Sequence, residues 1–482
     1  MKKIFRILFL LLFPIISFGQ DTVFIKSYGQ KGYNYGMKVM QTSDDGYIIL
    51  GNKSGFVGNT DVYLLKTDFA GNYIWDKAFG SGEIDWAEDI ITTKDHGYVI
   101  TGFQTTNLSS DYNFMLLKTD SIGNMIWIKN YGGSNWDLAH SVIETPDSGY
   151  IMVGETYSFG NGNNDIYILK TNKNGDSLWS KVYGGFQNDV ANDISNVHDG
   201  NFLITGTTSS FGKGKDDIYI IKINNTGDTL WTKTFGDTLD DKANAGIETV
   251  DHGIAITGST QNFGAKAMDG FLMKLNSTGN ELWTRVYGGP NEEECYDLIQ
   301  KANEQYFMAA FTSSYGFVGS QDFYMLVADK NGWYINGTTF GDEKDEAAKS
   351  CVRAIDNGFA VIGTTASMGL GITNILFIKT DSLGNSNAST YTHITDIQEE
   401  SALEDFSLYP NPVDNLLNIR FPQKNSLQSI LIWNSIGQCV YDSKVYNNYS
   451  AKVDFSSLQE GIYIVSMCTK EGVIKKKIIH SR

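Results

Sequence analysis

The sequence predicts an all-β protein, a seven-bladed β-propeller followed by a small Ig-like β-sandwich. Two observations predict this architecture: a pattern of about 52 residues recurs seven times, and the composition changes near residue 405. The chain of 482 residues also contains 50 glycines and 13% aromatic residues. This composition favours short strands joined by tight turns, because aromatic residues prefer strands and glycine adopts turn conformations.

The repeat shows itself as glycine, lysine and tryptophan at constant spacing. These positions are Gly46, Gly97, Gly149, Gly200, Gly253 and Gly358, then Lys66, Lys118, Lys170, Lys222, Lys274 and Lys379, and then Trp75, Trp127, Trp179, Trp231 and Trp283. In the third repeat we expect four strands, at Leu138–Glu144, Tyr150–Thr156, Ile166–Thr171 and Ser177–Tyr183, with Gly149 supplying a positive φ to the first turn. Four strands per period of this length are typical of propeller blades, whereas solenoid repeats are usually shorter.

The two ends of the repeat region predict a closed ring. The seventh repeat has no fourth strand, because the polar stretch after Asn385 contains no tryptophan. Near the start of the chain, Phe24, Lys26 and Tyr28 repeat the spacing of the fourth-strand motif that begins at Trp75. We therefore expect a strand from the chain start to complete the seventh blade, which also removes an open sheet edge.

The sixth repeat departs from the pattern. Gln305 and Ala310 replace its two glycines, Val327 replaces the lysine, and Asn336 replaces the tryptophan. Either this repeat has drifted, or it has been adapted to a ligand.

Two sets of recurring side chains are candidate sites. The first, here called the ring residues, comprises Asn34, Asp85, Asp137, Asp189, Asp241, Glu293 and Glu346. These residues either surround a cation near the ring axis or bond backbone amides within each blade. The second set is the rim aromatics, Phe56, Phe159, Phe211, Phe263 and Tyr315. They either form a platform that stacks on glycans or pack between blades.

The sequence shows no catalytic constellation, and we predict neither a cofactor nor a metal site. HExxH, GxSxG, P-loop and CxxC motifs are all absent from the sequence, and its six histidines are not expected to cluster. The net charge of −17 argues against non-specific nucleic-acid binding and against binding to an anionic membrane surface. Four cysteines are too few for a disulfide framework; Cys295 and Cys351, or Cys439 and Cys468, remain possible pairs.

Residues 1–19 are predicted to be a secretory signal peptide. Lys2, Lys3 and Arg6 form its charged region, an apolar run from residue 7 to residue 16 follows, and cleavage is expected before Gln20. This apolar run is too short for a comfortable membrane span, and no later stretch is predicted to span a membrane as a helix.

The C-terminal residues form a separate predicted unit. The propeller is expected at 20–388, a polar linker at 389–405, and the new unit at 406–482. Its motifs are Tyr409, Pro410, Asn411 and Pro412 at the start, Gly437 in the central turn, Gly461 and Tyr463 near the end, and the basic run 475–477. The whole segment resembles the type A sorting domain of the type IX secretion system of Bacteroidetes.

This resemblance implies a small β-sandwich that directs export across the outer membrane. The expected partner is the type IX secretion machinery, and the expected location is the medium or the outer cell surface, reached through the periplasm. An ordinary Ig-like adhesion module is the alternative interpretation of this segment.

The hairpin that precedes each tryptophan resembles the tryptophan-docking motif of quinoprotein dehydrogenase propellers. Thr67, Asp68, Gly71 and Trp75 carry this resemblance in the first repeat. It implies a way of packing blades together, and the activity of those enzymes is not implied.

An exported, symmetric scaffold without a visible catalytic set predicts a binding or scaffold protein that recognises a glycan or a protein. The alternative is a secreted hydrolase or lyase that acts on polysaccharide, because the fold alone does not decide function.

Overall fold

The computed structural model describes residues 23–481 except 55–58, 82, 106–110, 263–266, 387–390, 396–406, 411, 421–426, 435–438, 449 and 470–472. The predicted signal peptide therefore lies outside the described residues. The chain divides into two compact units, Met1–Asp396 and Ile397–Arg482. Within the described ranges, no helix has the length and apolar character needed to cross a membrane.

The repeats fold into seven sheets, antiparallel except at β29 of the last one, and they are numbered here in chain order after strand β1 (Phe24–Gly29). Sheet 1 contains β2 (Asn34–Gln41), β3 (Tyr47–Ser54), β4 (Thr60–Thr67) and β5 (Tyr73–Phe79); sheet 2 contains β6 (Asp85–Thr92), β7 (Tyr98–Thr105), β8 (Tyr112–Thr119) and β9 (Met125–Tyr131). Sheet 3 contains β10 (Asp137–Glu144), β11 (Tyr150–Thr156), β12 (Asp165–Thr171) and β13 (Ser177–Tyr183); sheet 4 contains β14 (Asp189–Asn196), β15 (Phe202–Thr208), β16 (Asp217–Ile223) and β17 (Thr229–Phe235). Sheet 5 contains β18 (Asp241–Glu248), β19 (Ile254–Thr260), β20 (Asp269–Leu275) and β21 (Glu281–Tyr287); sheet 6 contains β22 (Glu293–Gln300), β23 (Tyr306–Thr312), β24 (Asp322–Ala328) and β25 (Tyr334–Phe340). Sheet 7 contains β26 (Glu346–Arg353), β27 (Phe359–Thr365) and β28 (Asn374–Lys379), together with β1 and β29 (Tyr391–Thr395).

The chain start completes the last sheet, as the sequence predicts. Strand β1 pairs antiparallel with β28, with Phe24 opposite Lys379. Strand β29 then pairs parallel with the outer edge of β1. Sheet 7 therefore has five strands, and β29 lies within the segment 389–405 that the sequence predicts as a linker.

The seven sheets pack in a closed circle. The first strand of each sheet contacts the first strand of the next one, and β2 of sheet 1 contacts β26 of sheet 7. Strands β11 and β12 are almost wholly buried, whereas the fourth strand β13 is half exposed. The continuous apolar runs of the inner strands follow from this burial on both faces. The fold is thus all-β and propeller-like.

A buried lysine fastens each regular sheet internally. The Lys170 ammonium at the end of β12 lies 2.8 Å from the Asp147 carboxylate in the turn between β10 and β11. The same ion pair recurs as Lys66–Asp44, Lys118–Asp95, Lys222–Asp199, Lys274–Asp251 and Lys379–Asp356. Sheet 6 lacks both charges, with Val327 and Asn303 at these positions. The lysines are therefore structural, because each pairs a buried ammonium group with a carboxylate of its own sheet.

An aromatic side chain on each regular fourth strand packs against the next sheet. A Cβ atom added to Gly123, which has φ +77°, would lie 2.7 Å from the Trp75 ring. Gly175, Gly227, Gly279 and Gly332 face Trp127, Trp179, Trp231 and Trp283 in the same way. At the closure, Phe24 takes the place of the tryptophan against Gly71 of sheet 1. The packing implied by the tryptophan-docking resemblance is thus present throughout the regular sheets.

The first turn differs from the prediction in all repeats except the fourth, where Gly200 itself has a positive φ of 78°. Ser148, not Gly149, has the positive φ of 63°. Gly149 is required for a different reason, since an added Cβ would lie 2.2 Å from the Thr171 carbonyl oxygen. The recurring glycine therefore permits a close backbone approach, while the residue before it adopts the left-handed conformation.

Cys295 and Cys351 are buried free thiols, so they do not form the pair left open by the sequence. Burial raises the pKa of the Cys295 thiol to about 12. The side chains of Cys439 and Cys468 lie outside the described part of the structure.

The C-terminal unit contains two sheets around one core. One sheet comprises β30 (Ser407–Tyr409), β31 (Leu416–Arg420) and β34 (Ser450–Asp454); the other comprises β32 (Leu427–Asn434), β33 (Cys439–Asn448), β35 (Gly461–Thr469) and β36 (Val473–His480). Leu417 and Val453 of the first sheet share the apolar core with Ile432 and Val465 of the second.

We predict that Asp147→Asn destabilises the protein at pH 7 by about 1 kcal/mol, since it leaves the buried Lys170 without an anion beside it. Burial acts to raise the pKa of Asp147, but hydrogen bonds from Lys170, Thr145 and Gly149 outweigh it and lower the pKa to about 2. The carboxylate therefore stabilises the fold above about pH 4, and this contribution is lost between about pH 4 and pH 2. Melting temperatures of both chains across this range should converge at the acid end.

The matched control is the double variant Lys170→Val/Asp147→Asn, which copies the pair found in sheet 6. It should be more stable at pH 7 than Asp147→Asn alone. A constant difference between wild type and Asp147→Asn from pH 7 to pH 2 would contradict the proposed role of the charge.

We also predict that a chain beginning at Gln30 unfolds at much lower urea concentration than a control chain beginning at Val23. The shorter chain loses the closing strand with Phe24, Ile25 and Tyr28, which are all buried. Three such side chains together contribute about 5 kcal/mol or more. Equal unfolding midpoints for the two chains would show that β1 does not stabilise the circle of sheets.

Candidate functional site

The circle of sheets surrounds a polar cavity of about 230 Å³. Each sheet contributes from its first strand, where a β-bulge interrupts the register with the second strand; in sheet 3 the bulge lies between Ala139 and Ser141. A bulge turns two consecutive side chains toward the same region. His140 and Ser141 therefore both line the cavity.

The bulged residue is different in nearly every sheet. In chain order the seven are Met37, Glu88, His140, Asn192, Asn244, Tyr296 and Lys349, and all of them line the cavity. The residue before the bulge is small or a cysteine in each sheet, as Ala87, Ala139 and Ala191 show. Sequence reasoning missed these residues because it followed the recurring positions. The signal that could have found them is a position in the repeat that carries a different residue type in nearly every copy.

The next position carries charges that connect neighbouring sheets. Asp89 accepts hydrogen bonds from the Val142 amide at 3.0 Å and from the Ser141 hydroxyl at 3.1 Å. Asp193 accepts one from the Gly246 amide at 3.1 Å. These carboxylates are therefore bonded to the following sheet.

One lysine faces these carboxylates across the cavity. Asp297 accepts a hydrogen bond from the Cys351 amide at 3.1 Å, and its carboxylate lies 3.4 Å from the Lys38 ammonium. Burial disfavours the charged form of Lys38, yet the charges of Asp297, Asp89 and Asp193 outweigh it and raise its pKa. Burial also raises the pKa of Asp193, to about 6, although Lys38 opposes this shift.

The bulged residues give the cavity both donors and acceptors. The Lys349 ammonium lies 3.3 Å from the centroid of the Tyr296 ring, a cation–π contact. Burial acts to lower the pKa of His140, but the Glu155 carboxylate, 3.7 Å from its Nε2 atom, and the charge of Glu88 raise it.

Seven aromatic rings form a continuous row from sheet 1 to sheet 3, here called the aromatic row. Its members are Tyr33, Tyr35, Trp86, Phe103, Tyr112, Trp136 and Tyr157, and successive ring centroids lie 5.2 to 6.3 Å apart. Tyr33, Trp136 and Tyr157 are 46%, 45% and 38% exposed. The Trp86 indole donates a 2.8 Å hydrogen bond to Glu88, which lines the cavity. The row therefore connects an exposed surface with the polar cavity.

The ring residues have a structural role within each blade-like sheet. Each accepts a hydrogen bond from the amide four residues earlier, as Asp137 does from Gly133 at 2.8 Å. Asp137 also accepts bonds from the hydroxyls of Thr156 and Ser158 in the neighbouring loop. These contacts match the second of the two interpretations, in which the ring residues bond backbone amides.

The rim aromatics pack on an aromatic residue of their own sheet. Phe159, Phe211 and Tyr315 contact Tyr167, Tyr219 and Tyr324, with ring centroids 5.4, 5.6 and 6.0 Å apart. They keep exposures of 42%, 43% and 45%, so one face of each stays open to solvent. Phe56 and Phe263 lie outside the described residues.

The histidines do cluster at one place, contrary to the expectation from the sequence. His198 of sheet 4 and His252 of sheet 5 meet beside Glu248, although 54 positions separate the two histidines in the chain. The sequence concealed this because both residues occur in turns of different repeats, and only the packing of neighbouring sheets brings them together.

The C-terminal motif residues occupy different environments. Tyr409, Pro410, Pro412 and Gly461 are exposed. Tyr463 is buried, and its hydroxyl donates a 2.6 Å hydrogen bond to the Gln459 carbonyl. Asn411 and Gly437 lie outside the described residues.

Comparisons with known proteins identify the tail. Residues 407–481 match the family model of the secretion system C-terminal sorting domain. No curated protein sequence matches the chain.

Solved structures offer only distant likenesses. One is PorZ, a surface component of the type IX secretion system of Porphyromonas gingivalis, at 12% identity and a TM-score of 0.38, covering 91% of this chain and 69% of that one. The extracellular domain of a putative one-component system from B. thetaiotaomicron shares 12% identity with a TM-score of 0.45, covering 94% of this chain and 57% of that one. The β-propeller domain of the Trilobed protease from Pyrococcus furiosus shares 9% identity with a TM-score of 0.42, covering 74% of this chain and 98% of that one.

The C-terminal unit is therefore a secretion system sorting domain, and this tail indicates that the protein reaches the medium or the outer cell surface through the type IX secretion system.

Proposed function

We propose that this protein is a binding protein whose propeller recognises a carbohydrate chain outside the cell. The aromatic row is the observation that carries the proposal. The apolar faces of sugar rings pack against aromatic side chains, and Tyr33, Trp136 and Tyr157 offer exposed rings along one line. A row of this kind suits a chain of repeated sugar units better than a single small molecule.

The cavity, which the row reaches at Trp86 in its middle part, supports the same ligand class. Sugar hydroxyls both donate and accept hydrogen bonds, and the cavity supplies carboxylates, ammonium groups, amides and a phenol. The contact between Trp86 and Glu88 links the apolar row to the polar cavity. A glycan lying along the row would therefore pass the cavity, where one of its units can form hydrogen bonds.

The alternative partner, a protein, is less well supported by the described surface. A stable protein interface buries about 800 Å² on each side and has a broad apolar centre. The exposed rings belong to a single row of successive ring contacts, and the charged cavity lies beside Trp86 of this row. A single row of rings therefore suits a narrow ligand better than a broad protein surface.

The finer architecture belongs to the same proposal. The seven sheets are the blades of one seven-bladed β-propeller at 20–388, and the two-sheet tail at 406–482 is an Ig-like β-sandwich. The closed circle of contacts supports the first statement, and the single core shared by two sheets supports the second. Residues 1–19 act as the signal peptide, and the part of 389–405 that follows β29 links the two domains.

The remaining site residues have secondary roles in this proposal. Phe159, Phe211 and Tyr315 offer further stacking surfaces, since each keeps an exposed face. In the tail, Tyr409, Pro410 and Pro412 are exposed and form the part that the secretion machinery recognises.

Hydrolase or lyase activity on a polysaccharide receives less support than binding alone. Four carboxylates line the cavity. Asp89, Asp193 and Asp297 each accept a hydrogen bond from a backbone amide of a neighbouring sheet, and Glu88 accepts one from the Trp86 indole. These bonds give them a structural task. Formation of shortened or unsaturated sugars during the binding assay would favour the enzyme instead.

We predict that a glycan array probed with residues 20–482 identifies a bound polysaccharide, and that Trp136→Ala weakens its binding at least tenfold. The tenfold loss corresponds to about 1.4 kcal/mol, within the range of losing one stacked aromatic contact. Isothermal titration with the best glycan measures the change.

Trp333→Ala is the matched control for this prediction. Trp333 is 58% exposed but lies on the hairpin of sheet 6, away from the aromatic row. Its replacement should leave glycan binding unchanged. Equal losses in both variants, or the absence of any retained glycan, would overturn the proposal.

We further predict that a chain ending at residue 405 accumulates in the periplasm. The signal peptide still delivers it there, but the chain lacks the signal for export across the outer membrane. Fractionation of expressing cells measures the distribution, with a periplasmic enzyme as the marker of lysis. Truncated protein on the surface of intact cells would show that the tail is not the sorting signal.

A further inference from the structure

A cluster of three metal-binding side chains lies where sheet 4 meets sheet 5. His198 belongs to the turn between β14 and β15, Glu248 ends β18, and His252 belongs to the turn between β18 and β19. One ligand atom from each lies within 4.8 Å of the other two. The cluster lies at the opposite end of the first strands from the aromatic row.

The three side chains already point at a common place. The His198 Nδ1 atom contacts Glu248 Oε1, and the His252 Nδ1 atom lies 3.8 Å from the same oxygen. The centroids of the two imidazole rings are 3.9 Å apart. Ligands of a tetrahedral zinc ion at about 2.0–2.1 Å are separated by about 3.4 Å, so a small adjustment of these side chains suffices.

The backbone positions the cluster independently of any ion. The His198 amide donates a 2.8 Å hydrogen bond to Glu248 Oε2, and the other carboxylate oxygen, Oε1, faces the two imidazole rings. The His252 amide donates a 2.8 Å bond to the Thr249 carbonyl, and His252 has a φ of 60°. The neighbouring Asp199 is engaged by Lys222 at 2.6 Å.

The framework repeats around the circle, but the three ligands do not. The Lys94 amide bonds Glu144 and the Val250 amide bonds Gln300 in the manner of His198 and Glu248. His96 of sheet 2 has the conformation of His252, and the corresponding residues at its junction with sheet 1 are Ser43 and Thr92. Packing between neighbouring sheets explains why the contact between amide and side chain recurs. It does not explain why two histidines and a carboxylate meet at a single junction.

We propose that His198, Glu248 and His252 bind a divalent transition-metal ion, with zinc as the representative. Imidazole nitrogen and carboxylate oxygen are ligands that zinc accepts, and three protein ligands leave a fourth position for water or an external group. His198 and His252 are about half exposed, so this fourth position faces solvent. Because the ligands come from two sheets, the ion also cross-links sheets 4 and 5.

The test is zinc titration of residues 20–482, purified without a polyhistidine tag and followed by calorimetry. We expect one zinc ion per chain at micromolar or lower dissociation constant, together with a zinc-dependent rise in the melting temperature. The variants come from the protein's own repeats: His198→Val copies Val250, Glu248→Gln copies Gln300, and His252→Asn copies Asn357, which has a φ of 68°. Each should fold as the wild type does without zinc and weaken zinc binding at least tenfold.

His96→Asn is the control, because it makes the same exchange in the same turn position of sheet 2 and should leave zinc affinity unchanged. An equal loss in His96→Asn and His252→Asn would overturn the site, and so would the absence of saturable binding in the wild type. Glycan binding is measured separately at the other end of the strands, so failure of one proposal leaves the other standing.

Discussion

The contact between a fourth-strand aromatic ring and the hairpin glycine of the next sheet is the interaction on which the propeller-like unit depends. A side chain on Gly123 would overlap the Trp75 ring, so the two sheets approach as closely as they do only because glycine is there. Each sheet alone exposes apolar surface, and this contact covers it with the neighbouring sheet. Phe24 makes the corresponding contact at the closure, although it comes from the other end of the chain.

The repeated and the unrepeated residues have different tasks. Residues that recur in every sheet, such as Asp137 and its equivalents, bond backbone and loops within their own repeat. Residues that break the pattern concentrate at three places: the bulges around the cavity, the aromatic row on sheets 1 to 3, and the histidine pair between sheets 4 and 5. Symmetry thus belongs to the scaffold, and its local loss marks the places where we propose that ligands bind. Sheet 6 is a separate case, because Val327 and Asn303 replace a whole ion pair without disturbing the strands.

Much of the fold could be predicted from the sequence, but the candidate sites could not. The four strands of the third repeat and the closing strand at Phe24 follow from spacing, since equal local patterns impose equal local structure. The bulge at His140 is invisible in the spacing, because a bulge adds one residue to its own strand and is defined only by the partner strand. His198 and His252 meet through the packing of two sheets, which a pattern within one repeat does not contain. The positive φ of Ser148 could not be predicted either, because the recurring residue of this turn is Gly149 and glycine is the residue that most readily adopts a positive φ.

The pairing of β1 with β28 has a consequence for the order of events when the chain folds. These strands are separated by about 350 residues, so their contact forms only after almost the entire repeat region is available. A chain that emerges from its N-terminus must keep the apolar residues of β1 unpaired until the last sheet appears. Strand β29, which pairs with the other edge of β1, is followed directly by the C-terminal unit. The circle can therefore be completed only when synthesis has nearly reached the C-terminal sorting domain.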